Sequence, residues 1–116
     1  MADEGTLATT AQVLFFVGEN ATANQILEAN TNYAILMAEA LIYVETDRDW
    51  ATEWNDTSKV NPLQRQAVTI AACAKAAEIL VNQNQNAWQL ATTTNKLNTL
   101  GSLYTETIKR IKETDL

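Results

Sequence analysis

Along much of the chain, apolar residues recur three or four positions apart, and polar segments separate these stretches. This pattern predicts helices joined by polar segments. The clearest helix lies between Asn61 and Val81, where Asn61 can cap the start and Pro62, the only proline, suits the first turn. Its apolar residues recur three or four positions apart, as on a buried helix face: Leu63, Ala67, Ile70, Ala71, Ala74, Ala77 and Val81. Residues 71–77 have the sequence AACAKAA, which lets neighbouring helices approach closely, so we predict that this helix is central.

Three further segments are consistent with helices. Residues 8–17 allow a short helix or a strand, and the following Gly18 favours the helix. A long helix follows from about Thr22, with its core stripe predicted at Ile26, Tyr33, Met37, Leu41 and Val44, widened by Leu27, Ala34, Ala38 and Ile42. After a polar connector at residues 82–86, a last helix has its stripe at Leu90, Leu97, Leu100, Tyr104, Ile108 and Ile111.

Composition supports a single all-α domain. The chain has 116 residues, 47% of them hydrophobic, with three glycines and one proline, which favours a bundle of about four helices over a sheet. We expect one domain over residues 1–116, with an unanchored start at 1–7 and an end at 108–116 that can project from the bundle. No apolar run is long enough for a membrane span, and the amino terminus lacks the pattern of a secretion signal, so an intracellular protein is expected.

The residues that usually carry catalysis are few. The chain has no histidine, which removes the commonest general base and the commonest transition-metal ligand. The single cysteine, Cys73, lies among alanines and is interpreted as a buried thiol. Glu39 and Glu78 are the remaining acid/base candidates, although solvent-exposed positions are the simpler explanation for them. The sequence therefore predicts no catalytic, metal-binding or cofactor-binding residue, and we expect that the protein is not an enzyme.

Charge is unevenly distributed along the chain. Residues 1–56 hold ten acids and one base, a charge of minus nine, whereas residues 57–116 hold four acids and seven bases, a charge of plus three, giving the net charge of −6. A lopsided solvated surface is the simpler interpretation, and head-to-tail contact between copies is the alternative. The net acidic charge argues against general binding to the nucleic-acid backbone.

Two segments are candidates for contacts with other proteins. Trp50 and Trp54 are four residues apart, so they either cap the core or form a protein interface. The segment that contains them either continues the long helix or folds as a lid over the bundle end. The basic amphipathic end can dock in an acidic groove of a partner, or it places cations favourably at a helix carboxyl end: Ile108, Lys109, Arg110, Ile111 and Lys112.

The order of these elements is a short helix, a long helix with an acidic, tryptophan-containing end, and a loop into residues 61–68 (NPLQRQAV). An alanine-rich helix, an asparagine-rich turn and a final helix with residues 103–111 (LYTETIKRI) complete it. Over residues 8–113 this layout resembles the head-to-tail connector (adaptor) proteins of tailed bacteriophages. The resemblance implies a structural virion protein without catalysis, located in the neck of the particle and assembled in the host cytoplasm.

In such a protein, about a dozen copies form a ring that docks on the portal protein and extends the DNA channel. The ring offers a platform to the next tail or neck protein, and DNA passes through without sequence-specific binding. The resemblance suggests that the basic segment from Ile108 to Lys112 contacts the portal. The alternative is a small cytosolic helical module that binds a protein through Trp50 and Trp54, and an enzyme acting through Glu39 and Glu78 is a third hypothesis.

Overall fold

A computed structural model of the chain describes residues 5–17, 28–83 and 90–114, apart from the side chains of residues 28, 82, 83, 90–97 and 114. Within these ranges the chain forms five helices: α1 (Thr10–Val17), α2 (Glu28–Thr46), α3 (Trp50–Glu53), α4 (Pro62–Gln83) and α5 (Leu90–Thr114). No strand occurs in the described ranges, which confirms the predicted all-α fold class. None of the helices in these ranges is long and apolar enough to cross a membrane.

The start of α4 is fixed by a reciprocal pair of side-chain caps. The Asn61 Oδ1 atom accepts a hydrogen bond from the Gln64 backbone N–H at 2.8 Å, and the Gln64 Oε1 atom accepts one from the Asn61 N–H at 3.2 Å. These bonds satisfy N–H groups that the first helical turn leaves unpaired. Pro62 is the first helical residue, as predicted.

Helix α4 is the centre of the bundle, because α1, α2 and α5 all pack against it. Its middle is buried around most of its circumference, including Cys73 and the five surrounding alanines at 71, 72, 74, 76 and 77. Two members of the predicted stripe, Leu63 and Ile70, are instead exposed. Ile70 lines an open cleft between α1 and α4. The first part of α4 is therefore partly exposed to solvent, whereas its alanine-rich middle is buried.

The first described segment is anchored to two helices. The Thr6 N–H donates to both carboxylate oxygens of Glu39 on α2, at 3.2 and 2.9 Å, and the Leu7 carbonyl accepts from Thr69 Oγ1 on α4 at 2.8 Å. A Cβ atom at Gly5 would clash with Ile35 Cγ2 and lie 2.5 Å from Glu39 Oε2, so only glycine permits this close approach. The prediction of an unanchored start is therefore wrong for residues 5–7, and residues 1–4 lie outside the described ranges.

Helix α1 begins with the same type of cap as α4. The Thr9 Oγ1 atom accepts from the Gln12 N–H at 3.1 Å, and the Gln12 Oε1 atom accepts from the Thr9 N–H at 2.9 Å. The buried residues of α1 are Thr10, Val13 and Val17. The helical interpretation of residues 8–17 is confirmed.

The buried face of α2 differs from the predicted stripe. Its buried side chains are Thr31, Asn32, Ala34, Ile35, Ala38 and Ile42, whereas the predicted core positions Tyr33, Met37, Leu41 and Val44 face solvent. Ile26 and Leu27 lie outside the described ranges. Apolar residues surround most of this helix, so periodicity could not select a face. The small side chains of Ala34 and Ala38 and the bulkier Ile35 and Ile42 share the buried face, and the other large apolar residues are turned outward.

A left-handed residue ends α2. Asp47 has a φ of 53°, and the Arg48 N–H donates to the Tyr43 carbonyl at 3.3 Å, the bond expected of a Schellman motif. Asp49 then caps α3 by accepting a hydrogen bond from the Thr52 N–H at 3.3 Å. The tryptophan segment is thus a separate turn of helix that folds over the bundle end, which matches the lid interpretation and not a continuation of α2.

Helix α5 packs along its predicted stripe, with Leu100, Tyr104, Ile108 and Ile111 buried. The side chains of Leu90 and Leu97 lie outside the described set. Because Ile108 and Ile111 are buried, the helix stays on the bundle through Ile111, which differs from an end that projects from residue 108. Of the predicted connector at 82–86, Asn82 and Gln83 belong to α4, and residues 84–86 lie outside the described ranges.

We expect Asp47→Gly to raise the free energy of unfolding by about 1 kcal/mol, because glycine adopts a positive φ without the steric cost that a Cβ atom imposes. Urea unfolding followed by circular dichroism measures the change. Asp49→Gly is the control, since Asp49 has a φ of −86° and its carboxylate caps α3. A loss of stability in Asp47→Gly would contradict this account of the end of α2.

Candidate protein-interaction surfaces

The outer side of α2 exposes six large apolar side chains, which together we call the α2 outer face: Tyr33, Leu36, Met37, Leu41, Tyr43 and Val44. Tyr33 and Val44 are 61% and 73% exposed, and the set extends over about three helical turns, or roughly 16 Å. A helix that is apolar on all sides is typical of one that is covered on all sides. Contiguous exposed apolar patches of this kind mark interaction sites.

Acidic groups border one end of the α2 outer face. A groove of about 390 Å³ between α2 and α3 includes Tyr43 and Val44, and its charged lining residues are Glu39 and Asp49. Burial raises the pKa of Glu39 above its ordinary value, an effect that the backbone N–H groups of Thr6 and Leu7 partly offset by hydrogen bonding to the carboxylate. This end of the surface therefore combines apolar area with negative charge.

A second partly apolar surface lies between α1 and α4. It is a cleft of about 540 Å³, called here the α1/α4 cleft, and its lining includes Gln12, Phe16, Pro62, Arg65, Ile70 and Cys73. Within residues 5–17, 28–83 and 90–114, Arg65 is its one charged lining residue. Phe15 and Leu63, which are next in sequence to the lining residues Phe16 and Pro62, are 84% and 77% exposed. The cleft thus combines the apolar side chains of Phe16 and Ile70 with the positive charge of Arg65.

The two tryptophans lie in the core. Trp50 and Trp54 are 1% and 6% exposed, and the Trp50 indole N–H donates to Thr46 Oγ1 at 3.0 Å. The guanidinium carbon of Arg48 lies 4.0 Å from the ring centroid of Trp50, and that of Arg65 lies 4.9 Å from the ring centroid of Trp54. Of the two interpretations of the pair, the structure therefore places it in the core, and a partner that approached this end would meet the arginines.

Arg48 joins the lid to the loop before α4. Its Nε atom donates to Glu53 Oε1 at 2.9 Å and its Nη2 atom donates to the Lys59 carbonyl at 2.6 Å, while its plane covers Trp50. A planar guanidinium can make these contacts together because its donors point in several fixed directions. These contacts of Arg48 were not predicted, although its being the only base among residues 1–56 was a usable signal.

The predicted portal-docking segment is divided between the core and the surface. Ile108 and Ile111 are buried, whereas Lys109, Arg110 and Lys112 are exposed. Arg110 pairs with Glu106 at 3.1 Å on an exposed helix turn, and Lys109 and Lys112 share a shallow cleft with Glu45 of α2. The exposed part of the segment is therefore its three cations, whereas its two isoleucines are not accessible to a partner.

The carboxylates considered for acid/base chemistry have separate partners. Glu39 accepts hydrogen bonds from the segment before α1, whereas Glu78 pairs with Lys75 at 3.1 Å. The Lys75 ammonium lies 4.5 Å from the ring centroid of Tyr104, whose pKa is raised by burial and further by the carboxylates of Glu45 and Glu78. No hydrogen bond joins Glu39 to Glu78 in the described part of the chain, so the structure does not assemble them as a pair.

Cys73 is buried, as predicted. Burial raises the pKa of its thiol to about 11, so the thiol stays protonated at neutral pH and is a poor nucleophile. Among the described residues, no group of three or more cysteine and acidic side chains is positioned to hold a metal ion.

No protein-family model matches this chain, and no curated protein or solved structure is detectably similar to it. Its fold places it among all-α helical bundles.

We expect Arg48→Lys to lower the free energy of unfolding by about 1–3 kcal/mol, because an ammonium group cannot stack on Trp50 and also reach both Glu53 and the Lys59 carbonyl. Thermal and urea unfolding measure this loss. Arg110→Lys is the matched control, since its exposed ion pair should contribute less than about 1 kcal/mol. Equal effects of the two substitutions would contradict the role assigned to Arg48.

The raised pKa of Glu39 predicts a pH dependence of stability. Between the ordinary pKa of 4.5 and the raised value, the folded chain binds more protons than the unfolded chain, so the contribution of Glu39 to stability falls as pH rises. Glu39→Gln does not titrate and keeps one acceptor oxygen for the Thr6 N–H. Urea unfolding from about pH 4 to about pH 7 should therefore show the wild type losing stability relative to Glu39→Gln. A relative gain would mean that the pKa is lowered.

Proposed function

We propose that this chain is a structural assembly protein, a ring-forming head-to-tail adaptor of a tailed-phage virion that docks on the portal and extends the DNA channel toward the tail. The observation that carries the proposal is the α2 outer face, whose large apolar side chains are exposed in a single copy. The portal and the next tail or neck protein are the proposed partners outside the ring, and the virion neck is the proposed location.

The exposed apolar area of α2 favours association with a partner. Full burial of a leucine or methionine side chain stabilises by about 1.5–3 kcal/mol, so six partly exposed side chains represent several kcal/mol that an isolated copy does not gain. A partner that covers the helix recovers part of that free energy, and a stable interface needs roughly 800 Å² from each side. Contact with further copies supplies such a cover at every position of a ring.

The charge distribution supports the remaining parts of the proposal. A net charge of −6 disfavours tight binding to the phosphate backbone, as a channel that lets DNA slide requires. The exposed cations Lys109, Arg110 and Lys112 are the proposed contacts with an acidic surface of the portal. Their buried neighbours Ile108 and Ile111 hold α5 in place, so in this proposal they position the cations and do not touch the portal.

The wild-type chain is expected to form an assembly larger than a dimer as its concentration rises, or when a portal ring is added. Light scattering over a concentration series, at low and high salt, measures its mass. Tyr33→Gln combined with Val44→Gln should abolish assembly and leave the helical circular dichroism unchanged, because both side chains are mostly exposed in the single copy.

Leu103→Gln is the control, because this leucine is exposed on α5 and lies outside the α2 outer face. It should assemble like the wild type. A wild-type chain that stays monomeric at high concentration and also binds no portal would refute the proposed function. Unchanged assembly of the α2 double variant would refute the role of the α2 outer face.

A further inference from the structure

We infer that the α2 outer face of one copy packs into the α1/α4 cleft of the next copy, so that identical chains join head to tail. This inference rests on the proposed function, since it identifies the contact through which the ring would form. The occupant of each surface is therefore a second copy of this chain.

The two surfaces are suited to each other in shape and apolarity. The α2 outer face is a convex helix surface on which Tyr43 and Val44 are prominent. The α1/α4 cleft is concave, and Phe16 and Ile70 are among its lining residues. A ridge of helix side chains that enters a groove between two other helices is the usual geometry of helix packing.

Their charges are also complementary. Among the described residues, those with charge that line the groove beside the α2 outer face are Glu39 and Asp49, whereas the charged residue that lines the α1/α4 cleft is Arg65. A symmetric contact between two α2 outer faces would bring acidic groups toward acidic groups, which is unfavourable. Contact between α2 and the cleft instead brings these acids toward a cation, so charge favours the head-to-tail arrangement.

The surfaces belong to different elements of one bundle, which determines how assembly proceeds. When the α2 outer face of one copy occupies the cleft of another, the pair still has one free α2 outer face and one free cleft. A heterologous contact of this kind adds copies until the rotation between them closes a ring. A symmetric α2 contact would stop at two copies. The structure thus links a particular contact to the ring that the proposed function requires.

Two variants with opposite defects test this contact. The first is the α2 double variant, Tyr33→Gln with Val44→Gln. The second is a cleft double variant, Gln66→Glu with Ile70→Gln, whose side chains line the α1/α4 cleft and are exposed in the single copy, so the fold should be retained. Circular dichroism checks both folds. Each variant alone should be monomeric, because each lacks one half of the contact.

Mixing the variants in equal amounts is the decisive step. The intact cleft of the α2 variant should accept the intact α2 outer face of the cleft variant, giving a species of two copies that grows no further. Light scattering of the mixture, with one variant carrying a mass tag, identifies that mixed pair. Arg65→Gln in the wild-type background should weaken assembly by about tenfold at low salt and by less at high salt.

The results separate this inference from the proposed function. If the wild type assembles but the cleft variant also assembles, or if the mixture stays monomeric, the head-to-tail contact is wrong while a ring through other surfaces stands. If the α2 variant alone is defective and the wild type stops at two copies, the contact is symmetric and the inference is overturned. A wild type that never assembles, with or without a portal, overturns both.

Discussion

The packing of three helices on α4, whose alanine-rich middle is buried, is the constraint on which the rest of this structure depends. Residues 71–77 contain five alanines and a cysteine, all buried, and α1, α2 and α5 pack on this helix. Each alanine contributes little apolar area by itself, but small side chains bring the helices close and give many dispersion contacts. A larger side chain here would separate several helices at once, because interiors are closely packed.

The same constraint explains why the bulky face of α2 is exposed. Ala34 and Ala38 allow α2 to pack closely on the bundle, whereas the opposite face, with Tyr33 and Met37, carries side chains too large for that role. The buried face therefore holds Ile35 and Ile42 beside these alanines, and the remaining large apolar residues of α2 lie outside. The exposed apolar surface is thus a consequence of how the core is packed, and the proposed assembly would bury it.

Polar contacts determine what happens at the bundle end. Asp47 turns the chain out of α2, Asp49 starts α3, and Arg48 lies between the ring of Trp50 and the carboxylate of Glu53. These contacts hold the tryptophans inside the chain. The bundle end therefore presents charged groups to solvent, whereas the exposed apolar surfaces lie along the helices. The contacts that stabilise the fold are thus separate from the surfaces proposed to join copies.

The sequence by itself determined the helical class, the position of α4, its Asn61 cap and the buried stripe of α5, because caps and a clear apolar period are local properties of the chain. It also indicated that Cys73 is buried, since the residues around it are small and apolar. Only the tertiary structure decided which face of α2 is buried and that Trp50 and Trp54 lie inside. A helix that is apolar on every side has no period that selects a face, so the choice depended on the shape of α4.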